Sequence, residues 1–552
     1  MASQEQQKYD VVIVGAGMAG MYMLHKLRGQ GMRAIVIEAG SDVGGTWYWN
    51  RYPGCRCDVP SVEYSFSFSK ELEQEWNWTE IMAAQPEILE YVNHVADRFD
   101  LRRDMVFNSR VSAASFDEDA KHWTVTTEQG ESYTADFCVM ATGCLSMPNK
   151  PEFPGADRFK GEVYHTGMWP KEAVDFAGKR VAVIGSGSSG VQAIPVIAEQ
   201  AGEVIAIQRS PVYTFPANNR KLEDGYMDLA KADYATIREQ QRNSQTGIIY
   251  YSPRRPKPEG AVPGKPKRRP SKTILELTPE QRKQEIRDFG FNVLSQYVDV
   301  HTDPEANEIA CELYRETLRE LVKDPAVADR LAPKNYPIGC KRPVIDTDYY
   351  LAFNRPNVRL VDLRETGPIE EITETGLRTQ NGAHIEFDML VYATGFDAMT
   401  GALKRMDITG RGGRKLVEKW EDGPRTYLGL QISGFPNMFT ITGPGSPSVL
   451  SNVIVSIEQH VDWIADCLSY LRGHDLHVIE AEEQAESDWV AHVNEVAKGT
   501  MFTAPTCNSW YLGSNIPGKP RIFMPYVAGV HTYRQKCDEI AADGYRGFAL
   551  AG

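Results

Sequence analysis

Tyr9-Asp10-Val11-Val12-Ile13-Val14-Gly15-Ala16-Gly17-Met18-Ala19-Gly20 is the stretch that decides the fold. An apolar run of strand length enters a GxGxxG turn, and a helical pattern follows to about Gly31. Ala34-Ile35-Val36-Ile37 reads as a second strand, closed by Glu38. This is the pattern of a βαβ dinucleotide site: one glycine for the turn, one for close approach of a pyrophosphate, one for helix–strand packing. Gly15, Gly17, Ala19 and Gly20 are its expected cradle. The design recurs in Arg180-Val181-Ala182-Val183-Ile184, then Gly185-Ser186-Gly187-Ser188-Ser189-Gly190, then a helix through Ala198. Val204-Ile205-Ala206-Ile207 closes that unit, followed by Gln208-Arg209. A lone GxGxxG is a weak signal. Two copies in full strand–turn–helix–strand context predict an α/β chain with two Rossmann-like domains.

The two units differ where the adenosine ribose is read. Glu38 lies 18 residues after Gly20, and a carboxylate there accepts from ribose hydroxyls and repels a 2′-phosphate. That suits FAD. In the second unit Gln208 holds the matching place, with Arg209 and Ser210 beside it. An amide, a guanidinium and a hydroxyl suit the 2′-phosphate of NADPH. Both cofactors on one chain imply hydride transfer from nicotinamide to flavin. No CxxC or CxxxxC pair is present to pass the electrons to a disulfide.

The bulk properties agree. A chain of 552 residues exceeds one ordinary core and predicts two or three domains. With 42% hydrophobic and 24% charged residues it has the composition of a soluble globular protein. The net charge of -14 disfavours nucleic acid and anionic membrane surfaces as partners. A polar start and the lack of long apolar runs predict a cytoplasmic protein, monomeric or weakly oligomeric. The nine cysteines are odd in number and scattered, which predicts buried thiols and no disulfide framework. Cys55-Arg56-Cys57 lacks the further ligands a metal needs, so no metal site is expected.

Between Tyr213 and Cys340, Thr278-Pro279, Asp303-Pro304 and Asp324-Pro325 each set a capping side chain before proline, the mark of helix starts. The stretch 252–272 is rich in Pro, Lys and Arg and reads as a solvated loop. Strand patterns return at Val358-Arg359-Leu360-Val361 and at Asp388-Met389-Leu390-Val391-Tyr392. The latter runs into Ala393-Thr394-Gly395, twin of Ala141-Thr142-Gly143. The expected division is an FAD-binding domain over 1–145 and 395–552, an NADP-binding domain over 146–215 and 340–394, and a helical insertion over 216–339.

Two further patterns select the chemistry. Phe159-Lys160-Gly161-Glu162-Val163-Tyr164-His165-Thr166-Gly167-Met168-Trp169-Pro170 matches FxGxxxHxxxWP. Gly44-Gly45-Thr46-Trp47-Tyr48-Trp49-Asn50-Arg51-Tyr52-Pro53-Gly54-Cys55-Arg56-Cys57-Asp58 matches GGxWxxxxYPGxxxD. Here the chain resembles the type I Baeyer–Villiger monooxygenases, over nearly its whole length, and most closely the phenylacetone and steroid monooxygenase branch. The resemblance implies conversion of ketones, bulky cyclic, steroid-like or aryl ones, to esters or lactones with NADPH and O2, through a peroxide on the flavin C4a carbon. An N- or S-oxygenating flavin monooxygenase is the alternative, and the Trp169-Pro170 ending argues against it.

The resemblance also assigns residues. Arg342, in Gly339-Cys340-Lys341-Arg342-Pro343, matches the active-site arginine, and Asp58 the carboxylate that positions it. For FAD, Thr46, Trp47, Tyr48, Trp49, Asp58 and Tyr64 match flavin-side positions, Val111 the backbone contact to adenine, and Val453 a position near the flavin that is Met in a close relative type. Arg56, Cys57 and Asp58 match a stretch touching the nicotinamide half of NADP. Ser186, Gly187, Ser188, Ser189, Gly190, Val191 and Gln192 would cradle its pyrophosphate. Arg209, Ser210 and Lys341 match the 2′-phosphate site, and Arg342 and Trp510 other NADP contacts. His165 and Trp169 are expected to link domains, not to catalyse. Cys144 stands where a relative of this branch carries Gln beside the substrate pocket, and the loop 445–452 resembles that pocket's loop.

Overall fold

The computed structural model describes residues 8–253 and 270–552. Most of the basic stretch 252–272 lies outside the described residues.

Two sheets organise the chain. The larger has eight strands. Across it run Asp407–Thr409, Val111–Asp117, His122–Thr127, Ser132–Met140, Lys8–Val14, Ala34–Ile37 and Met105–Val106, with Met438–Thr440 beside Ser132–Met140. Lys8–Val14 lies in the middle, parallel to Ala34–Ile37 and to Ser132–Met140. Its Val11, Val12 and Ile13 are wholly buried. A parallel strand covered on both faces must be apolar continuously, which is why the opening run shows no alternation. The second sheet has five parallel strands, in the order Val358–Asp362, Glu203–Gln208, Arg180–Ile184, Met389–Tyr392, Glu162–His165. Both glycine units therefore form strand–helix–strand, with helices Met18–Gly29 and Ser188–Ala198.

The last glycine of each turn is dictated by packing. A Cβ on Gly20 would stand 1.9 Å from the Gly15 carbonyl oxygen, and one on Gly190 2.1 Å from that of Gly185. Only glycine lets each helix lie so close to its strand.

Within 216–339 the long elements are the helices Tyr226–Arg242, Pro279–Phe289, Pro304–Leu321 and Pro325–Leu331. The three caps read from the sequence form. Thr278 and Gln281 make a reciprocal capping box. Asp303 accepts from Glu305 N at 2.8 Å, and Asp324 from Ala326 N at 2.8 Å. The sequence gives no sign of the antiparallel sheet Ile369–Ile372, Gly376–Thr379, His384–Glu386, whose strands are too short for a clear period.

One expectation is corrected. Cys340 and Cys507 form a disulfide, with Cα atoms 5.7 Å apart and 167 residues between them in sequence. The other seven cysteines are free. Composition suggested thiols throughout, because pairing across such a separation is set by the tertiary fold and leaves no local spacing to read. Among the described residues no helix is long and apolar enough to cross a membrane.

Candidate active site

Each glycine turn delivers a helix whose first N–H groups have no side-chain cap: Gly17 and Gly187 occupy the N-cap positions. Such an end carries partial positive charge and free donors, the requirements of a pyrophosphate site. Space is present as well. A Cβ on Gly187 would meet nothing within 4 Å. At the first turn a Cβ on Gly45 would stand 2.8 Å from Gly17 Cα, so the Gly44-Gly45 turn stacks directly on the first cradle. Gly44 N donates to Ala16 O at 3.1 Å and ties the two turns together.

Glu38 is buried and accepts from Ala16 N at 2.7 Å and from Gly40 N at 2.6 Å. Burial raises its pKa against the pull of these bonds. Each oxygen retains a lone pair for a ribose hydroxyl. Thr46–Trp49 forms one helical turn, with Thr46 exposed and Trp47 buried. Trp47 Nε1 donates to Tyr64 Oη at 3.3 Å. Tyr48 turns outward: Ser41 N donates to its hydroxyl at 3.0 Å, and Arg51 and Lys171 sit over its ring. Trp49 packs edge-on against it. Val111 is buried at the start of its strand, and Val453 is the first residue of helix Val453–Gly473.

The YPG turn joins the two units. Gly54 has φ +80°, and a Cβ there would lie 2.3 Å from the carbonyl oxygen of Gln192, on the second glycine helix. Gln192 in turn accepts from Tyr52 Oη at 2.8 Å and donates to Arg56 O at 3.2 Å. Gly54→Ala is expected to lower stability by about 1–3 kcal/mol from the backbone alone, with overlap adding a similar amount. A lower melting temperature and weaker NADPH binding are the checks.

On the phosphate side Arg209 and Ser210 are exposed, and Ser186 Oγ donates to Ser210 O at 2.6 Å. Lys341 Nζ lies 4.1 Å from the centre of the Tyr336 ring. Burial, and then the charge of Arg209, pull its pKa down to about 8. Two cations held together in this way suit a phosphate dianion. If Lys341 holds the 2′-phosphate, it does so protonated, so affinity for NADPH is expected to weaken as the pH rises through about 8. KM for NADPH is expected to rise roughly 10-fold or more between pH 7 and 9.5, from loss of one charge-assisted hydrogen bond. NADH, lacking the 2′-phosphate, serves as the flat control.

Three residues sit differently from a simple reading. Gln208 turns inward, donating to Arg330 O at 2.9 Å and to Asp362 Oδ2 at 3.1 Å. Its amide nitrogen is therefore engaged with other elements, while its Oε1 is buried without a partner among the described residues. The Arg56 guanidinium is tied to Glu80 at 2.7 Å and to Met82 O at 2.6 Å, leaving its backbone toward Gln192. Cys57 is buried, and burial raises its thiol pKa.

At the meeting of the two halves stands an ion pair that the sequence could not bring together. Arg342 Nε and Nη2 donate to the two oxygens of Asp58 at 2.9 and 2.8 Å. Its Nη1 donates to Val449 O at 2.7 Å, in the loop 445–452. Asp58 raises the Arg342 pKa, so the cation is permanent. A planar bidentate pair with a third anchor fixes the guanidinium plane and leaves two N–H bonds for a ligand. Trp510, in the turn Trp510–Leu512, lies on the same side, its ring 4.3 Å from that of Tyr511. Two neighbours of the pair were missed in the sequence. The Tyr511 hydroxyl senses Arg342 and Asp58, and so does Tyr250, whose backbone has φ 51°. Glu63 accepts from Ile249 N and Tyr251 N, both at 2.7 Å, and holds Tyr250 in that conformation. Cys144 also lies within electrostatic reach of Arg342.

Residues 12–223, which span both glycine units, match the family model of pyridine nucleotide-disulphide oxidoreductases. The chain is 38% identical to acetone monooxygenase (methyl acetate-forming) of Gordonia sp. (strain TY-5), over 98% of this chain and 99% of that one. It is 39% identical to a Baeyer-Villiger monooxygenase of Pseudooceanicola batsensis, covering 97% and 95%. The chain belongs to the Baeyer–Villiger monooxygenase family. A phenazine N-monooxygenase of Lysobacter antibioticus is 38% identical over 100% of this chain and 98% of that one. Among solved structures, oxidised steroid monooxygenase bound to NADP shows 50% identity and a TM-score of 0.89, covering 99% and 100%. A complex of OTEMO with FAD and NADP shows 38% identity and a TM-score of 0.90, covering 98% and 99%.

In this Baeyer–Villiger monooxygenase family member the FxGxxxHxxxWP pattern is closely packed against its neighbours. A Cβ on Gly161 would strike Asp388 O at 2.2 Å, and one on Gly167 the Phe396 ring at 2.9 Å. His165 is buried, and its Nδ1 accepts from Gly167 N at 3.0 Å. Its Nε2 therefore carries the proton, 3.3 Å from Asn149 O. Burial lowers its pKa and keeps it neutral. Trp169 packs on Tyr164 and Phe176. The pattern locks the edge of the five-stranded sheet to the Ala393-Thr394-Gly395 turn.

Proposed function

We propose that this protein inserts one oxygen atom from O2 beside a ketone carbonyl, giving an ester or lactone, with NADPH as reductant and FAD as cofactor. The observation that carries this reading is the Arg342–Asp58 pair, set where the two dinucleotide units meet. NADPH supplies a hydride, and bound flavin accepts it and activates oxygen. The first glycine turn, the Gly44-Gly45 turn and Glu38 fit FAD. The uncapped helix Ser188–Ala198 with Arg209, Ser210 and Lys341 fits NADPH.

The chain's own contribution is charge, position and exclusion of water. Arg342 presents fixed N–H donors where negative charge develops on oxygen, and Asp58 and Val449 O keep the guanidinium from turning. Tyr52, Gly54 and Gln192 hold the Asp58 turn on the NADP-side helix. The 50% identity to a steroid monooxygenase supports a bulky cyclic, steroid-like or aryl ketone as substrate. The same reading assigns 1–145 and 395–552 to FAD, and 146–215 and 340–394 to NADP, with 216–339 as the helical insertion.

Oxygen transfer to nitrogen or sulfur is the second reading, and the phenazine N-monooxygenase relative favours nitrogen. The test is a panel of ketones and tertiary amines, with oxygen-dependent NADPH consumption and mass analysis. Esters heavier than the ketone by one oxygen support the first reading. N-oxides without esters support the second.

A further inference from the structure

Tyr511 is wholly buried, yet its hydroxyl has no hydrogen-bond partner in good geometry among the described residues. That is an unfavourable place for a polar group unless something else binds there. Three aromatic rings pack around Tyr511. Trp510 lies 4.3 Å away at 62°, Phe502 5.7 Å away at 67° and Phe523 6.4 Å away at 84°. Met524 N donates to Tyr511 O at 2.9 Å, and Tyr511 N donates to Ser509 Oγ at 3.2 Å, so the backbone is held too. The hydroxyl lies within the fields of Arg342, Asp58 and Cys144. The guanidinium is close enough to pull the hydroxyl's pKa down as a hydrogen-bond donor would, but the contact falls outside hydrogen-bond geometry. Asp58 and Val449 O already occupy three of the arginine's N–H bonds.

We propose that the Tyr511 hydroxyl is a catalytic donor that hydrogen-bonds the ketone's carbonyl oxygen beside a free N–H of Arg342, so that two donors share the negative charge developing there. The inference rests on the ketone-oxygenating reading above. No proton leaves the phenol: burial raises its pKa, which keeps the O–H available as a donor. A cation alone stabilises charge over a broad region. A cation with a fixed hydroxyl defines one oxygen position and so favours a carbonyl over other oxidisable groups.

The test uses the holoenzyme and one substrate that carries both a ketone and a thioether. Oxygen transfer to sulfur creates no carbonyl oxyanion, so the thioether is an internal control. Tyr511→Phe is expected to lower the ester-to-sulfoxide ratio about 10-fold or more, the scale for removal of one oxyanion donor. The variant should also melt at the same temperature or higher, because it deletes an unpaired buried hydroxyl. An unchanged product ratio overturns the proposal. So does a lowered melting temperature, which would reveal a structural partner for the hydroxyl. If the unaltered enzyme forms only sulfoxide, the failure lies with the ketone reading and not with Tyr511.

Discussion

Arg342→Ala is expected to abolish ester formation while NADPH still bleaches the flavin. The guanidinium donates to Asp58 and Val449 O, and among the described residues it makes no hydrogen bond to a glycine cradle. Cofactor binding and hydride transfer therefore have other supports. In the proposed reaction removing the cation takes away the fixed positive charge that steadies the carbonyl oxygen, and a loss of about 10³-fold in ketone turnover is expected. It also strands Asp58 as a partly buried carboxylate, which costs about 3–5 kcal/mol where desolvation is complete. At 29% exposure for each partner the cost here is smaller. Arg342→Lys separates the two effects. It keeps a charge for Asp58 and loses the bidentate plane, so it should recover stability more than activity. Single-turnover flavin reduction and product analysis, on protein of measured melting temperature, read both.

Gly20→Val is expected to give a colourless protein. Its Cβ would stand 1.9 Å from the Gly15 carbonyl oxygen, and that atom is backbone at the end of the central strand. No side chain can yield to make room. The helix Met18–Gly29 has to retreat, taking its uncapped N-terminus away from the pyrophosphate position. The same shift opens the packing of Met21 and Leu24, both wholly buried, at a cost on the order of 1–3 kcal/mol for forced overpacking. The flavin-to-protein absorbance ratio after purification is the measurement. Full yellow colour in a folded Gly20→Val protein contradicts the assignment of this turn to FAD.

What the sequence discloses divides by range. The glycine turns, Glu38 and the three capped helix starts are local, because each depends on residues a few positions apart whose geometry the chain itself dictates. The Gly54 and Gly161 positions belong to readable patterns, but their reason is tertiary: each glycine faces a carbonyl from a distant element. Arg342 and Asp58 are 284 residues apart, and only the resemblance paired them in advance. The Cys340–Cys507 disulfide had no such guide, and composition pointed the other way. Gln208 and Arg56 show the limit of motif reading. Position brought them to the site, while Asp362 and Glu80 drew their side chains elsewhere. Tyr511 follows directly on Trp510 and was visible as a neighbour, yet its function depends on an unpaired hydroxyl that only the folded core reveals.

The central claim is that one atom of O2 ends beside a ketone carbonyl because Arg342 stabilises the charge that forms there. Turnover of a cyclic ketone with NADPH under ¹⁸O₂ tests it most directly. The account predicts one ¹⁸O in the ring position of the lactone for each NADPH spent on product, and none when Arg342→Ala replaces the parent enzyme. A lactone carrying only solvent oxygen, or equal labelling by the Arg342→Ala variant, contradicts it.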